Sequence, residues 1–324
     1  MIKYILKRLL MLIPVILGVI IIAFVFQTIA PGDPADSLLG ASATDEERIE
    51  LREELGLNDP VIVQFARYVW NFVSKGDLGT SYFTKQPVAS EIMQRFPVTL
   101  ILAVCSVGLG ALLGIPLGIL SAVKQYTWVD SAILALSVFL ASIPGFWLAL
   151  MLISLFSVNL KWLPVAGISN KLGWILPIIT VSIMSMASIV RTTRSSMLET
   201  IRQDYVRTAR AKGQKESVIT FKHVLSNSLI PIVAAVGNRM GHMMGGALVI
   251  ESVFGLPGIG RYAMESTLNR DYPAVMGSLV VLSITYTVVN LILDLIYFFL
   301  NPRMRTSYFR KSSGKKVKGA VQSV

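Results

Sequence analysis

The stretch "DYVRTARAKGQKESVITFKHVLSNSLIP", Asp204 to Pro231, is polar and basic, yet it lies between two long apolar runs. Small residues Ala209 and Ala211 lead to Gly213, and a second helical run continues to Pro231. A short helix closed by a glycine and followed by another helix is too ordered a pattern for a free linker. Laid on a membrane surface, such a segment suits the groove of another protein. Its meaning depends on whether the flanking runs cross a membrane.

Composition says that they do. Of the 324 residues, 53% are hydrophobic and 15% are charged. Apolar runs fall at about 9–30, 98–123, 132–158, 173–190, 229–250 and 275–300, each near the roughly 20 residues that span a hydrocarbon core. The chain therefore reads as an all-α membrane protein with six transmembrane helices. The third run contains "SIPGFW", so Pro144-Gly145 is expected to kink or break it. The fifth carries Asn238, Arg239 and His242. The first run is longer than the apolar core of a signal peptide, and "PGDPAD" rather than a small-residue cleavage site follows it, so it reads as an uncleaved span.

The net charge of +11 invites a nucleic-acid reading, but the placement of the charges argues for topology. With the N-terminus in the cytoplasm, cytoplasmic segments hold 19 of the 30 Lys/Arg. Three are at the N-terminus, one follows span two, eight lie between spans four and five, and seven are in the tail. External segments hold ten, while 11 of the 19 acids fall in the external stretch 31–97. This is the positive-inside pattern and places both termini in the cytoplasm. The basic tail 304–324 suits contact with anionic lipid. A single cysteine, Cys105, lies within an apolar run and can form neither an intrachain disulfide nor a cysteine metal cluster.

Domain organisation follows: 1–30 the N-terminal tail and first span, 31–97 an external helical cap, 98–303 a core of five spans, and 304–324 the tail. In the cap, Thr44 and Glu47 make a capping-box pattern ahead of a helix that Gly56 can end. Val61, Phe65, Val69 and Phe72 then recur at helical spacing. In the core, Gly110, Gly114 and Gly118, and again Gly237, Gly241 and Gly245, stand four apart and allow close helix packing or lining of a path.

Catalytic patterns are missing. The two histidines, His223 and His242, belong to no HExxH, and there is no GxSxG elbow and no evident pair of buried acids. No GxxxxGK[ST] loop is present, so any ATP that drives this protein must sit on a partner. The chain reads as a non-enzyme.

The opening segment resembles the cytoplasmic EAA loop of bacterial ABC importer permeases. Its peptide/nickel branch is matched by Ala209-Arg210-Ala211-Lys212-Gly213 and then His223, Leu225, Asn227, Leu229 and Pro231. Against the broader consensus only Ala209 and Gly213 match, with Arg207 and Thr208 in place of the glutamate and first alanine. "APGDPA", "LGLNDPVIVQFARYV", "GDLGTSYFTKQPV", "WLPVAG", "VIESVFGLPGIGRYA", "NRDYPAVMG" and "NPRMR" extend the resemblance over nearly the whole chain, in the order found in dipeptide, oligopeptide, glutathione and nickel permeases.

The resemblance implies the type I importer permease fold in a bacterial inner membrane, and alternating access driven by ATP. It also implies a second homologous permease subunit, two ATP-binding subunits that carry ATP and Mg, and an extracytoplasmic substrate-binding protein. No cofactor is expected on this chain. Within the coupling loop 191–228, Tyr205, Ala209, Arg210, Ala211, Lys212 and Gly213 are assigned to the ATPase groove, with Gly213 as the turn. His223 is expected to pack or hydrogen-bond rather than to bind metal.

The substrate stays open between di- or oligopeptides and nickel, free or chelated. Asn238, Arg239, His242 and Met243 are the candidate pathway residues, because ionisable groups at membrane depth face a path or a polar partner. A basic residue suits a peptide carboxylate or an anionic chelate, and His242 among methionines suits a borderline metal. Met as gap-filler is the plainer alternative. The competing class is a proton-coupled secondary transporter, which needs buried acids in its spans; Asp294 is the one clear acid there.

Overall fold

The computed structural model describes residues 2–29, 32–40, 43–168 and 170–300, with the side chains of 2–9, 246, 298 and 300 left out. The basic tail and "NPRMR" lie outside the described residues. Every extended element among the described residues is helical, apart from one isolated antiparallel bridge, Thr80 with Pro87.

In chain order, α1 is Ile2–Ile29, and the cap contributes α2 (Pro34–Leu39), α3 (Asp45–Glu54) and α4 (Val61–Lys75). Then come α5 (Val88–Val123), α6 (Trp128–Ser142), α7 (Gly145–Leu152) with a wide turn over Ile153–Asn159, and α8 (Ile175–Ile201). The segment between α8 and the next long helix holds α9 (Asp204–Ala211), α10 (Glu216–Val218) and a second wide turn, Ile219–Leu225. The chain continues as α11 (Ser226–Gly246), α12 (Leu248–Val253), α13 (Ile259–Leu268) and α14 (Tyr272–Leu300).

Among the described residues, five stretches are long and apolar enough to cross a membrane: Leu10–Ile29, Val88–Val123, Lys171–Ile201, Glu216–Gly245 and Tyr272–Tyr297. The sixth is the pair Trp128–Ser142 and Gly145–Asn159, bent by 96° where Pro144 and Gly145 were expected to break the run. Two boundaries differ from the apolar pattern. The fourth span was expected to stop at 190, but its helix runs to Ile201, because Arg194 on the added turns pairs with Asp130. The helical run expected to end at Pro231 passes through it to Gly246. An interior proline forfeits one backbone bond but does not by itself stop a helix whose neighbours remain packed.

The chain divides into two compact units. The first comprises 1–109, 143–182 and 240–287, and the second 110–142, 183–239 and 288–324.

In the first unit, α1 and the cap close over one apolar cluster. Ile20, Phe24, Leu78, Val88, Ile92, Ile259, Tyr262 and Met276 are buried there, with Phe65, Val69 and Phe72 of α4 packed against them. The cap helices start and stop as the sequence dictates. Thr44 and Glu47 form the full capping box, Asp33 accepts the Ala35 N–H at 2.8 Å, and Gly56 and Gly76 take positive φ of 65° where α3 and α4 give way to loop.

The hairpin at 79–88 is anchored by two buried acids. Asp271 accepts the Ser81 hydroxyl and the Tyr82 N–H (3.1 Å). Glu91 accepts the Thr84 hydroxyl at 3.1 Å and the Tyr262 phenol at 2.5 Å, while the Arg95 guanidinium lies 4.3 Å from the Tyr262 ring centre. Burial beside Asp271 pushes the Tyr82 phenol up to about 12.

A second cluster in this unit joins Val98, Leu102, Ala149, Leu176, Phe254 and Leu256. At its margin Glu251, fully buried, accepts the Thr99 hydroxyl at 2.7 Å and the Arg261 N–H at 2.9 Å, and Thr99 in turn accepts the Ile259 N–H at 2.9 Å. The carboxylate thus caps the start of α13, where it answers unpaired N–H groups. Burial raises the Glu251 pKa, opposed by these bonds.

In the second unit the helix seams run over glycine. A Cβ at Gly118 would stand 2.5 Å from Thr193 and 2.8 Å from the Val190 carbonyl, and one at Gly114 would stand 3.1 Å from Ile189. Gly237 faces Leu293 just as closely. These glycines serve close packing.

Asp130, buried at the start of α6, accepts two N–H groups from one edge of the Arg194 guanidinium, Nε at 2.7 Å and Nη2 at 2.8 Å. It also accepts the Ser121 hydroxyl and the Tyr126 N–H. The expectation that Asp294 is the one clear acid within the spans is therefore corrected. Asp130 and Glu91 lie on spanning helices and are buried, as are Glu251 and Asp271 nearby. Each sits at the edge of an apolar run, where its distant partner in sequence compensates the cost of burial.

Candidate functional site

The segment Asp204–Pro231 lies wholly in the second unit. Helix α9 is amphipathic by construction. Val206 and Ala209, three apart, turn inward onto Ala122, Met197, Ile219 and Val224, while Tyr205, Arg207, Thr208, Arg210, Ala211 and Lys212 are exposed. An eight-residue helix is marginal in isolation, so this apolar seat is what holds it.

Its end is a complete Schellman motif. The Gly213 N–H donates to the Arg210 carbonyl at 2.9 Å, and the Gln214 N–H donates to the Ala209 carbonyl at 3.3 Å, with Gly213 at φ +75°. Past the turn, the Arg210 guanidinium reaches Glu216 at 2.8 and 3.3 Å, and His223 Nε2 meets Gln214 Oε1 at 2.8 Å. Asn227 donates to the His223 carbonyl at 2.7 Å. Ser228 ties the following helix to α8 through Thr200 Oγ1 at 2.8 Å and the Ser196 carbonyl at 3.1 Å.

The structure sorts the residues that the motif grouped together. Tyr205, Arg210, Ala211 and Lys212 present an outer face, Ala209 forms the seat, Gly213 shapes the turn, and His223 braces it. At Gly213 there is open space around the position of a Cβ, so the glycine is required by its backbone angle and not by a neighbour. Gly213→Arg should therefore cost only the left-handed strain of roughly 1–2 kcal/mol, and Gly213→Asn less. The check is retention of partner subunits on affinity-purified variants. Equal loss for Asn and Arg would point to steric exclusion by a partner instead.

The four candidate pathway residues all fall on α11. Asn238 and His242 are exposed, and Arg239 is half-buried. Met243 is partly buried and packs against the second apolar cluster of the first unit, and Met244 is buried. Gly241 lets the Tyr286 ring approach to 2.8 Å of where a Cβ would stand. No cluster of three His, Cys, Asp or Glu suited to a metal occurs among the described residues. The first unit also holds a crevice of about 420 Å³, lined in part by Tyr68, Asn71, Tyr82 and Lys85, that the sequence did not foreshadow.

The family models match almost end to end. One described as "Binding-protein-dependent transport system inner membrane component" covers residues 114–306, and its N-terminal companion covers 1–103. The glutathione transport system permease protein of Pectobacterium atrosepticum is 41% identical over 306 residues, covering 94% of this chain and 99% of that protein. An oligopeptide transport system permease protein of Bacillus subtilis is 39% identical over 315 residues, covering 94% of this chain and 99% of that one. A dipeptide transport system permease protein of Alkalihalophilus pseudofirmus is 37% identical over 333 residues, covering 94% and 100%.

Among solved structures, the MetNI methionine ABC transporter in an inward-facing conformation superposes with a TM-score of 0.57 at 20% identity, over 65% of this chain and 97% of that one. That likeness places the fold among ABC importer permeases. On these matches, which the broken third span accords with, the chain belongs to the family of binding-protein-dependent transport system inner-membrane components, the permeases of ABC importers.

Proposed function

We propose that this chain is the permease subunit of an importer for short peptides, driven by ATP hydrolysis on partner subunits. The observation that carries the reading is α9, a short helix fastened to its own chain on one face and presenting Tyr205, Arg207, Thr208 and Arg210 on the other. A helix held in this way transmits a push, because its inner face is fixed to α8 and the turn before α11. Residues 191–228 form the coupling loop, and an ATPase subunit is the occupant of the outer face. ATP and Mg belong to that partner, since this sequence has no phosphate-binding loop.

The excess of Lys/Arg on the α9 side supports an arrangement with both termini in the cytoplasm and the cap outside. A second permease and an extracytoplasmic binding protein complete the assembly, and substrate passes by alternating access. The peptide class is supported by the relatives named for glutathione, oligopeptides and dipeptides. Arg239 and His242 are the groups on α11 suited to a peptide carboxylate.

Uptake by the complete transporter in proteoliposomes tests the substrate. Labelled di- and tripeptides and glutathione should accumulate with ATP, free nickel should not, and Arg239→Ala or His242→Ala should change the preference among peptides without loss of assembly. Nickel uptake without peptide uptake would replace the peptide reading. Unchanged selectivity in both variants would move the pathway away from these residues.

A further inference from the structure

Helix α4 carries two apolar faces. One is spent inside the first unit, where Phe65 packs edge-on against Phe24 of α1 at 5.5 Å between ring centres and Tyr68 does so at 6.0 Å. The other is bare. Ile62, Ala66, Trp70 and Val73 recur at helical spacing and are exposed, with Ile62 at 71%, Trp70 at 70% and Val73 at 74%. The polar residues Gln64, Arg67, Asn71 and Ser74 fall together on the remaining side of the helix. A soluble cap has no reason to leave Trp, Ile and Val uncovered in one row.

The position of α4 along α1 identifies what covers them. Phe24 lies five residues before Ile29, the end of the first span, which is about 7–8 Å of helix rise. An interfacial helix buries its apolar face roughly 5–10 Å into the boundary between headgroups and acyl chains. By its packing on Phe24, α4 is held at that depth. The span at the same level shows exposed Ile22, Phe26 and Ile29, so the bare row of α4 continues a lipid-facing surface. Trp70 matches the aromatic belt, and Lys75 ends the helix with a side chain long enough to reach headgroups.

We propose that α4 is an interfacial helix. Its Ile62–Ala66–Trp70–Val73 row is immersed in the leaflet on the cap side, and its Gln64–Arg67–Asn71–Ser74 side faces water. The cap is thereby moored to the bilayer as well as to the first span. The inference rests on membrane insertion alone and is independent of the substrate.

The test uses the full chain in lipid nanodiscs, with single spin-labelled cysteines in a Cys105→Ser background, since Cys105 is itself exposed. Positions 73 and 74 are adjacent and both exposed, so neither label disturbs packing, and they differ only in the side they occupy. Phe26→Cys on the first span supplies the lipid reference. Collision with oxygen, which partitions into lipid, is compared with collision with chromium oxalate, which stays in water. Val73→Cys should favour oxygen severalfold, as Phe26→Cys does, and Ser74→Cys should show the reverse. Labels at 73 and 74 that both favour chromium oxalate would overturn the proposal. So would a label at 73 shielded from both reagents, which would mean that protein covers the row.

Discussion

Ala209→Asp should disconnect transport from ATP hydrolysis while the protein still inserts in the membrane. The side chain at 209 is buried in an apolar cluster with Val206, Met197, Ile219 and Val224. A carboxylate there is a buried unpaired charge, which costs several kcal/mol. A loss of about 3 kcal/mol shifts the balance between seated and detached α9 by more than a hundredfold. Eight residues cannot keep a helix without the seat, so α9 should fray. Three measurements report on this: uptake, retention of the ATPase on the purified permease, and tryptic cleavage at Arg207 and Arg210, which should rise. Thr208→Asp, one residue away on the exposed face, should leave cleavage unchanged. Normal uptake by Ala209→Asp would mean that the seat has no part in coupling.

The second large effect is expected at Asp130. Removing this carboxylate strands the Arg194 guanidinium, itself only 20% exposed, and also the Ser121 hydroxyl and Tyr126 N–H that it accepts. Breaking one half of a buried pair costs about 3–5 kcal/mol, most of it from the charge left behind. Asp130→Ala should therefore lower the melting temperature of the purified permease markedly. Arg194→Met alone should do less, because Asp130 keeps two donors. The double variant should recover part of the loss, since an apolar pair needs no charge compensation there. Strictly additive losses in this cycle would show that the two side chains do not act together.

Much of this architecture was legible in advance. The six apolar runs, the break at Pro144-Gly145, the capping box at Thr44 and the turn at Gly213 are all set by local chemistry within a few residues, and local chemistry is what a sequence displays. The inward turn of Ala209 was legible in principle from Val206 three residues before it, but the motif drew attention to the group as a whole. Asp130, Glu91, Glu251 and Asp271 were not legible as buried groups. Their partners are 64, 171, 152 and 190 residues away, and nothing local distinguishes a carboxylate that will meet Arg194 or Thr99 from one that will face water. The bare row on α4 was hidden for another reason. Its spacing is plain in the sequence, but only the contact with Phe24 shows at what depth the row lies.

The anchoring of the hairpin has a consequence for how the protein is made. Ser81 and Tyr82 are bound by Asp271, and Thr84 and Glu91 are joined to Tyr262, so the hairpin's partners emerge from the ribosome some 170–190 residues after it does. Contacts of such long range cannot form early, however favourable they are. During synthesis the cap must wait until four more spans have been made and the chain has returned. Closure of the hairpin is then a late step that only a full set of spans permits. A chain stalled or truncated before residue 271 leaves Ser81 and Tyr82 without their acceptor and the hairpin unlatched.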